Sequence, residues 1–123
     1  MYLTFEQYVE QYPDTDIEAE NFESLEKRAE TDINGLTFNR ISAKGFDSLT
    51  DFQKPLVRHA VAMQVKFINE NSELLDSPLS GYSIGGVSMS FDKSKTVNIG
   101  GVTTSNNVYN VLMQTGLMYR GLG

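Results

Sequence analysis

Lys54-Pro55-Leu56-Val57-Arg58-His59-Ala60-Val61-Ala62-Met63-Gln64-Val65-Lys66-Phe67-Ile68-Asn69-Glu70 is the stretch that decides the fold. Leu56, Ala60, Met63 and Phe67 form one apolar stripe at helical spacing, and Val57, Val61, Val65 and Ile68 form a second beside it. So wide an apolar arc predicts a helix packed on two sides, the centre of a bundle. Pro55 lacks an amide that a helix interior would use. Residues 50–54 therefore read as a loose first turn under a Thr50 cap, and 55–70 as the regular part.

Upstream, Ser42 to Leu49 reads as a loop. Before it lies a long helix whose apolar face is Phe22, Leu25, Ala29, Ile33 and Leu36, with Glu20, Glu23, Glu26, Lys27 and Glu30 opposite. Thr15 with Glu18 three residues on reads as its capping box. Its end falls either at Gly35 or, running on through Phe38, at Ile41. A first short helix opens on another capping box, Thr4 with Gln7. It carries Phe5, Tyr8, Val9 and Tyr12 on one face and stops at Pro13-Asp14.

Downstream of Asp76 the composition changes. Residues 77–107 are rich in Ser, Gly, Thr and Asn, and five of the ten glycines fall between Gly81 and Gly101. Val87, Met89 and Phe91 alternate with Ser88 and Ser90, and Thr96-Val97-Asn98-Ile99 alternates again. Pairing 91 with 97, 89 with 99 and 87 with 101 puts Val87, Met89, Phe91, Val97 and Ile99 on one face, with 92–96 as the loop. Ile84-Gly85-Gly86-Val87 recurs as Ile99-Gly100-Gly101-Val102, which reads as two glycine hinges flanking one hairpin. A lone hairpin is marginal in water, so this arm, residues 80–103, is expected to order against neighbours. A last helix is capped by Ser105 or Thr104, puts Val108, Leu112 and Thr115 on one face, and stops at Gly116. The tail, 116–123, ends Leu117-Met118-Tyr119-Arg120-Gly121-Leu122-Gly123.

The expected fold is thus mainly α. It is a small four-helix bundle with a Gly/Ser-rich extended arm or β-hairpin between the third and fourth helices, in a single domain spanning 1–123. A chain of 123 residues, 40% hydrophobic and 21% charged, suits one domain with one core.

Composition narrows the chemistry. There is no cysteine and one histidine, which excludes disulfides, thiol catalysis and a two-histidine metal site. No apolar run approaches a membrane span. Met1-Tyr2-Leu3-Thr4-Phe5-Glu6 has no basic or apolar leader pattern, so a soluble chain made in a cytoplasm is expected. The net charge of −6 is uneven: −8 over residues 1–32 and +2 over 33–123. Such an acidic chain is a poor phosphate gripper.

His59 reads as an ordinary helical histidine, since nothing local supplies an acid or nucleophile to it. Asp14, Asp16, Glu18 and Glu20 lack the glycine and glutamate of a calcium loop. The glycine pairs lack P-loop spacing, and Lys93 and Lys95 read as a solubilised hairpin tip. Phe5, Tyr8, Tyr12, Phe22 and Phe67 read as core. No catalytic, cofactor-binding or metal-binding residue is expected, and the chain does not read as an enzyme. What stands out is the arm, with Val87, Met89, Phe91, Val97 and Ile99 as contacts to neighbouring subunits, and an apolar tail. Both are ways to reach a partner. Deleting 117–123 is expected to leave monomer stability nearly unchanged, although a tail folded back over the bundle's own core remains the alternative.

Tyr2-Leu3-Thr4-Phe5-Glu6-Gln7-Tyr8 resembles the start of small head–tail connector (adaptor, head-completion) proteins of tailed bacteriophages and prophages. So do Phe22-Glu23-Ser24-Leu25, Lys54-Pro55-Leu56-Val57-Arg58-His59-Ala60-Val61, Tyr82-Ser83-Ile84-Gly85-Gly86-Val87-Ser88-Met89-Ser90-Phe91 and the ending Gly116-Leu117-Met118-Tyr119-Arg120-Gly121. The likeness spans essentially the whole chain through short motifs. It implies an all-α virion neck protein, assembled in the bacterial host cytoplasm as a homo-oligomeric ring, usually a dodecamer, beneath the portal protein. The ring extends the channel for double-stranded DNA, which passes without specific binding, and offers a platform to a downstream neck or stopper protein. The family's portal-gripping C-terminal segment maps onto Leu117, Met118, Tyr119, Arg120 and Leu122. It implies no cofactor and no membrane. Pro55 departs from the family by sitting inside its helix. The reading from another class is a small non-viral cytoplasmic regulatory or protein-binding helical module.

Overall fold

The computed structural model describes residues 2–71, 96–99 and 102–118. Among them run α1 (Phe5–Gln11), α2 (Ala19–Leu36), α3 (Arg40–Lys44), a 3-10 turn (Phe46–Ser48), α4 (Gln53–Glu70), strands β1 (Thr96–Ile99) and β2 (Val102–Ser105), and α5 (Asn106–Thr115). The protein is a mainly helical bundle. α4 is its centre, flanked by α2 on one side and α5 on the other. Val57, Ala60, Val61, Ala62, Val65 and Ile68 are fully buried, while Leu56 and Met63 lie at the margin of the core.

The local start signals act as expected at both ends of the sequence. Thr4 Oγ1 accepts from the Gln7 amide at 3.1 Å, and the Gln7 side chain accepts from the Thr4 amide at 3.0 Å. Thr50 and Gln53 close the same reciprocal pair at 3.1 and 3.0 Å. Pro55 then falls in the first turn of α4, where helix amides have no intrahelical acceptor, so its missing N–H is tolerated. Ser105 accepts from the Val108 amide at 3.2 Å to start α5, and Gly116, at φ 76°, ends it. α1 lays its aromatic face on α2: Phe5 and Tyr8 each stand 5.4 Å from the Phe22 ring.

Three expectations are corrected. Thr15 does not cap α2, whose N-cap is Glu18 without a side-chain bond. Thr15 instead closes a turn, donating its amide to the Tyr12 carbonyl at 3.1 Å and accepting from the Ile17 amide at 3.1 Å, which delivers Ile17 into the core. Residues 42–49 are not an open loop, since α3 and the 3-10 turn occupy most of them and anchor Ile41 and Leu49 in the core. Glu26 is not on the solvent face of α2. It is fully buried, because Phe22, Glu26, Ala29, Ile33 and Leu36 step by four, three, four and three along the inward stripe.

The hairpin also has another partner. β1 pairs antiparallel with β2, Ile99 opposite Val102 and Thr96 opposite Ser105, so the connection in sequence is Gly100-Gly101. The expected partners of β1, Val87, Met89 and Phe91, lie outside the described residues. β2 docks on the bundle: Thr104 is fully buried, and Val102 packs on the core where Gly35 leaves room.

Candidate functional site

The tail begins inside the fold. The Thr115 hydroxyl donates to the Leu112 carbonyl at 2.6 Å and accepts from the Leu117 amide at 3.1 Å. This turn folds Leu117 back, leaving it 7% exposed in the core, with Met118 packed beside it. Arg40 donates to the Leu117 carbonyl at 3.1 Å, and the Gln53 side-chain Nε2 donates to the Thr115 carbonyl at 3.1 Å. The starts of α3 and α4 and the end of α5 therefore converge at Thr115 to Leu117. Of the residues expected to bind a portal, Leu117 is committed to the protein's own core. Tyr119, Arg120 and Leu122 lie outside the described residues.

Large apolar side chains are displayed on these same three segments. Phe52 is 65% exposed, Met113 47% and Phe38 41%. Phe52 precedes Gln53, Met113 lies two residues before Thr115, and Arg40 rests its guanidinium 5.5 Å from the Phe38 ring while holding Leu117. Sequence reasoning missed all three as surface groups, because each sits beside core positions in an ordinary apolar pattern.

Phe38 has a further peculiarity. α2 ends with the Asn39 amide donating to Asn34 at 2.7 Å and the Phe38 amide to Gly35 at 3.4 Å, the double bond of a left-handed helix stop. Phe38 holds the position that glycine usually takes, at φ 57°, followed by Asn39 at 59°. A bulky residue there is strained by roughly 1–2 kcal/mol, and strain of this kind concentrates where a side chain is used.

Of the expected arm contacts, Val97 is half-buried in β1 and Ile99 is paired with Val102; Val87, Met89 and Phe91 are not described. Behind the sheet lies a polar cluster that the sequence hid inside the apolar arc of α4. The buried Gln64 amide donates to Asp32 at 3.0 Å and to the Thr103 carbonyl at 3.3 Å, and its oxygen accepts from the Thr104 hydroxyl. Burial chiefly raises the Asp32 pKa, with the Gln64 bond and the Arg28 charge opposing.

A second polar group lies at the N-terminal segment. Tyr2 donates its amide to Glu30 at 2.7 Å and to Glu26 at 3.1 Å, and Leu3 donates to Glu26 at 3.3 Å. Burial, then the hydrogen bond and like charge of Glu30, pushes Glu26 up to about 8, against the pull of the two amides. The remaining Glu26 oxygen, Oε1, is buried with no partner.

At the opposite end of α4 a cleft of about 710 Å³ opens between the α1–α2 turn and the helix. Tyr8, Tyr12, Asp14, Asp16, Lys66 and Glu70 line it, with Asp16 accepting from Asn69 at 3.1 Å and Lys66 bonded to Glu70 at 2.9 Å. His59 is exposed on α4. Among the described residues no three metal-ligating side chains gather, and no helix is long and apolar enough to cross a membrane. Compared with protein-family models, curated proteins and solved structures, the chain matches none.

Proposed function

We propose that the chain is a virion structural protein, a head–tail connector that forms an oligomeric ring beneath the portal of a tailed bacteriophage or prophage. In that role it extends the DNA channel and carries the next neck component. Beyond the sequence resemblance, the observation that supports this reading is the display of Phe38, Phe52 and Met113 around the exit of the tail. Exposed apolar groups gathered near a chain end serve contact with another protein better than they serve a monomer. The strained glycine position of Phe38 points the same way, since a monomer would be better off without that side chain. The root of the tail, Leu117, is anchored in the bundle.

Co-expression with the portal protein encoded in the same genome tests the reading. Sedimentation and electron microscopy should find the wild type as rings joined to portals. Removing residues 119–123, or combining Phe38→Gly, Phe52→Ser and Met113→Ser, should leave a folded protein that no longer joins them. A wild-type chain that stays monomeric beside assembled portals overturns the proposal and favours a small binding module.

A further inference from the structure

We propose that Thr37 to Asn39 form a spring-loaded joint: α2 and α3 are held in a bent form and join into one continuous helix when Arg40 loses its hold on Leu117. The trigger is any partner, whatever its identity, that draws the root of the tail from its seat. Phe38 and Asn39 both sit in the left-handed region, at φ 57° and 59°. Neither is glycine, and a bulky ring-bearing residue is disfavoured there. Strain of this kind persists only where the surroundings impose it.

The local chain does not require the bend. Residues 36–44, Leu-Thr-Phe-Asn-Arg-Ile-Ser-Ala-Lys, contain neither glycine nor proline. In a continuous helix Ile41 falls on the stripe of Ile33 and Thr37, at successive steps of four, and both of those are already fully buried. α3 is poorly supported as a separate helix. It has five residues and no side-chain bond at its N-cap, and helices that short do not hold in isolation. Hydrogen bonds are exchanged rather than lost between the two forms. In the bent form the Phe38 amide donates to the Gly35 carbonyl at 3.4 Å and the Asn39 amide to Asn34 at 2.7 Å. In the joined form the same two amides take Asn34 and Gly35, the acceptors four residues back.

Tertiary contacts hold the bend. Ile41 is fully buried, and the 3-10 turn behind it delivers Leu49 into the core. Arg40 clamps the joint, with its guanidinium 5.5 Å from the Phe38 ring and 3.1 Å from the Leu117 carbonyl. Residues two apart on a helix point to different sides, so Arg40 cannot keep Phe38 in the joined form. Leu117 is the restraint that belongs to the tail, and a partner acting there reaches the joint through it.

The chain has no cysteine, so two nitroxide labels test this on the full chain by pulsed electron paramagnetic resonance. Ser24→Cys on α2 and Ala43→Cys on α3 replace exposed residues. A continuous helix sets their α-carbons about 29 Å apart, and the turn closed by the Asn39 to Asn34 bond sets them closer. The labelled chain with no further change should show the shorter distance. Arg40→Gln should add a second population at the longer one. Adding Phe38→Gly and Asn39→Gly to Arg40→Gln should remove that population, because glycine favours the left-handed region and disfavours the helix. Should Arg40→Gln not fold, Phe38→Ala with Asn39→Ala decides in its place, and the longer distance should appear there. The joint is overturned if the deciding variant shows only the shorter distance, or if the longer population survives both glycines.

Discussion

The Arg40 guanidinium donates a 3.1 Å hydrogen bond to the carbonyl of Leu117, 77 residues further along the chain. This bond ties the segment after α2 to the root of the tail, at Leu117.

Two truncations should therefore behave differently. Ending the chain after Met118 should leave the melting temperature within about 1 °C of the full chain. Ending it after Gly116, or making Leu117→Ala, should lower stability by roughly 2–4 kcal/mol, because a buried leucine is lost. Thermal unfolding followed by circular dichroism checks both. Equal melting temperatures for the two truncations would remove Leu117 from the core and restore the sequence-based expectation that 117–123 is dispensable for stability.

Gln64 and Thr104 should show strong coupling. Gln64→Leu alone leaves the Thr104 hydroxyl and Asp32 without their partner, and should cost roughly 2–3 kcal/mol. Thr104→Val alone orphans only one oxygen and should cost about 1–2 kcal/mol. The double variant should be less destabilised than the sum of the two, since both polar partners are gone. Urea unfolding of the four proteins measures the difference, and strict additivity would mean that the contact contributes nothing.

Stability should fall as pH rises. Glu26 is raised in the fold from 4.5 to about 8, so the folded state holds a proton that the unfolded chain gives up earlier. The contribution is complete below pH 4.5 and is lost as pH climbs through 8. Asp32, also raised, acts with the same sign at the acid end. Melting temperatures taken from pH 5 to 9 should decline for the wild type and flatten for Glu26→Gln. A wild type that gains stability between pH 6 and 9 would contradict the assignment.

The glycine positions and Phe38 give a three-way contrast. Gly116→Ala should cost about 1 kcal/mol, because φ is 76° there although no atom crowds the site. Gly35→Ala should be tolerated or stabilising by up to about 1 kcal/mol, since its new methyl would meet Val102 at 3.4 Å and α2 gains a better helix former. Phe38→Gly should not destabilise the monomer, as relief of the backbone offsets the lost half-exposed ring. Calorimetry on the three variants orders them, and marked destabilisation by Phe38→Gly would mean that the ring serves the fold rather than a partner.

The sequence by itself determined the starts of α1, α4 and α5 and the stop of α5. The capping pairs Thr4–Gln7 and Thr50–Gln53, the Ser105 cap and the Gly116 stop each act within four residues, so their chemistry is complete in the local chain. The two-stripe pattern of 54–70 likewise required a helix buried on two sides. Local grammar failed where a competing bond lay outside it. Thr15 carries the letters of a capping box, yet the buried seat for Ile17 drew it into a turn. Gly100-Gly101 carried a two-residue hairpin signal, but the alternation of 87–91 offered β1 another mate.

Only the tertiary structure decided which polar groups would be buried and which apolar ones exposed. Glu26 and Gln64 could occupy inward positions because partners 23 to 40 residues away in sequence met them: the Tyr2 and Leu3 amides, Asp32 and Thr104. Leu117 entered the core because Thr115 turned the chain and Arg40 received it. Phe38, Phe52 and Met113 were left outside because the neighbouring positions had filled the interior. Hydrophobicity and helix period are properties of a segment. The satisfaction of a buried donor or acceptor is a property of a pair, and the second member of each of these pairs is brought near only by the fold.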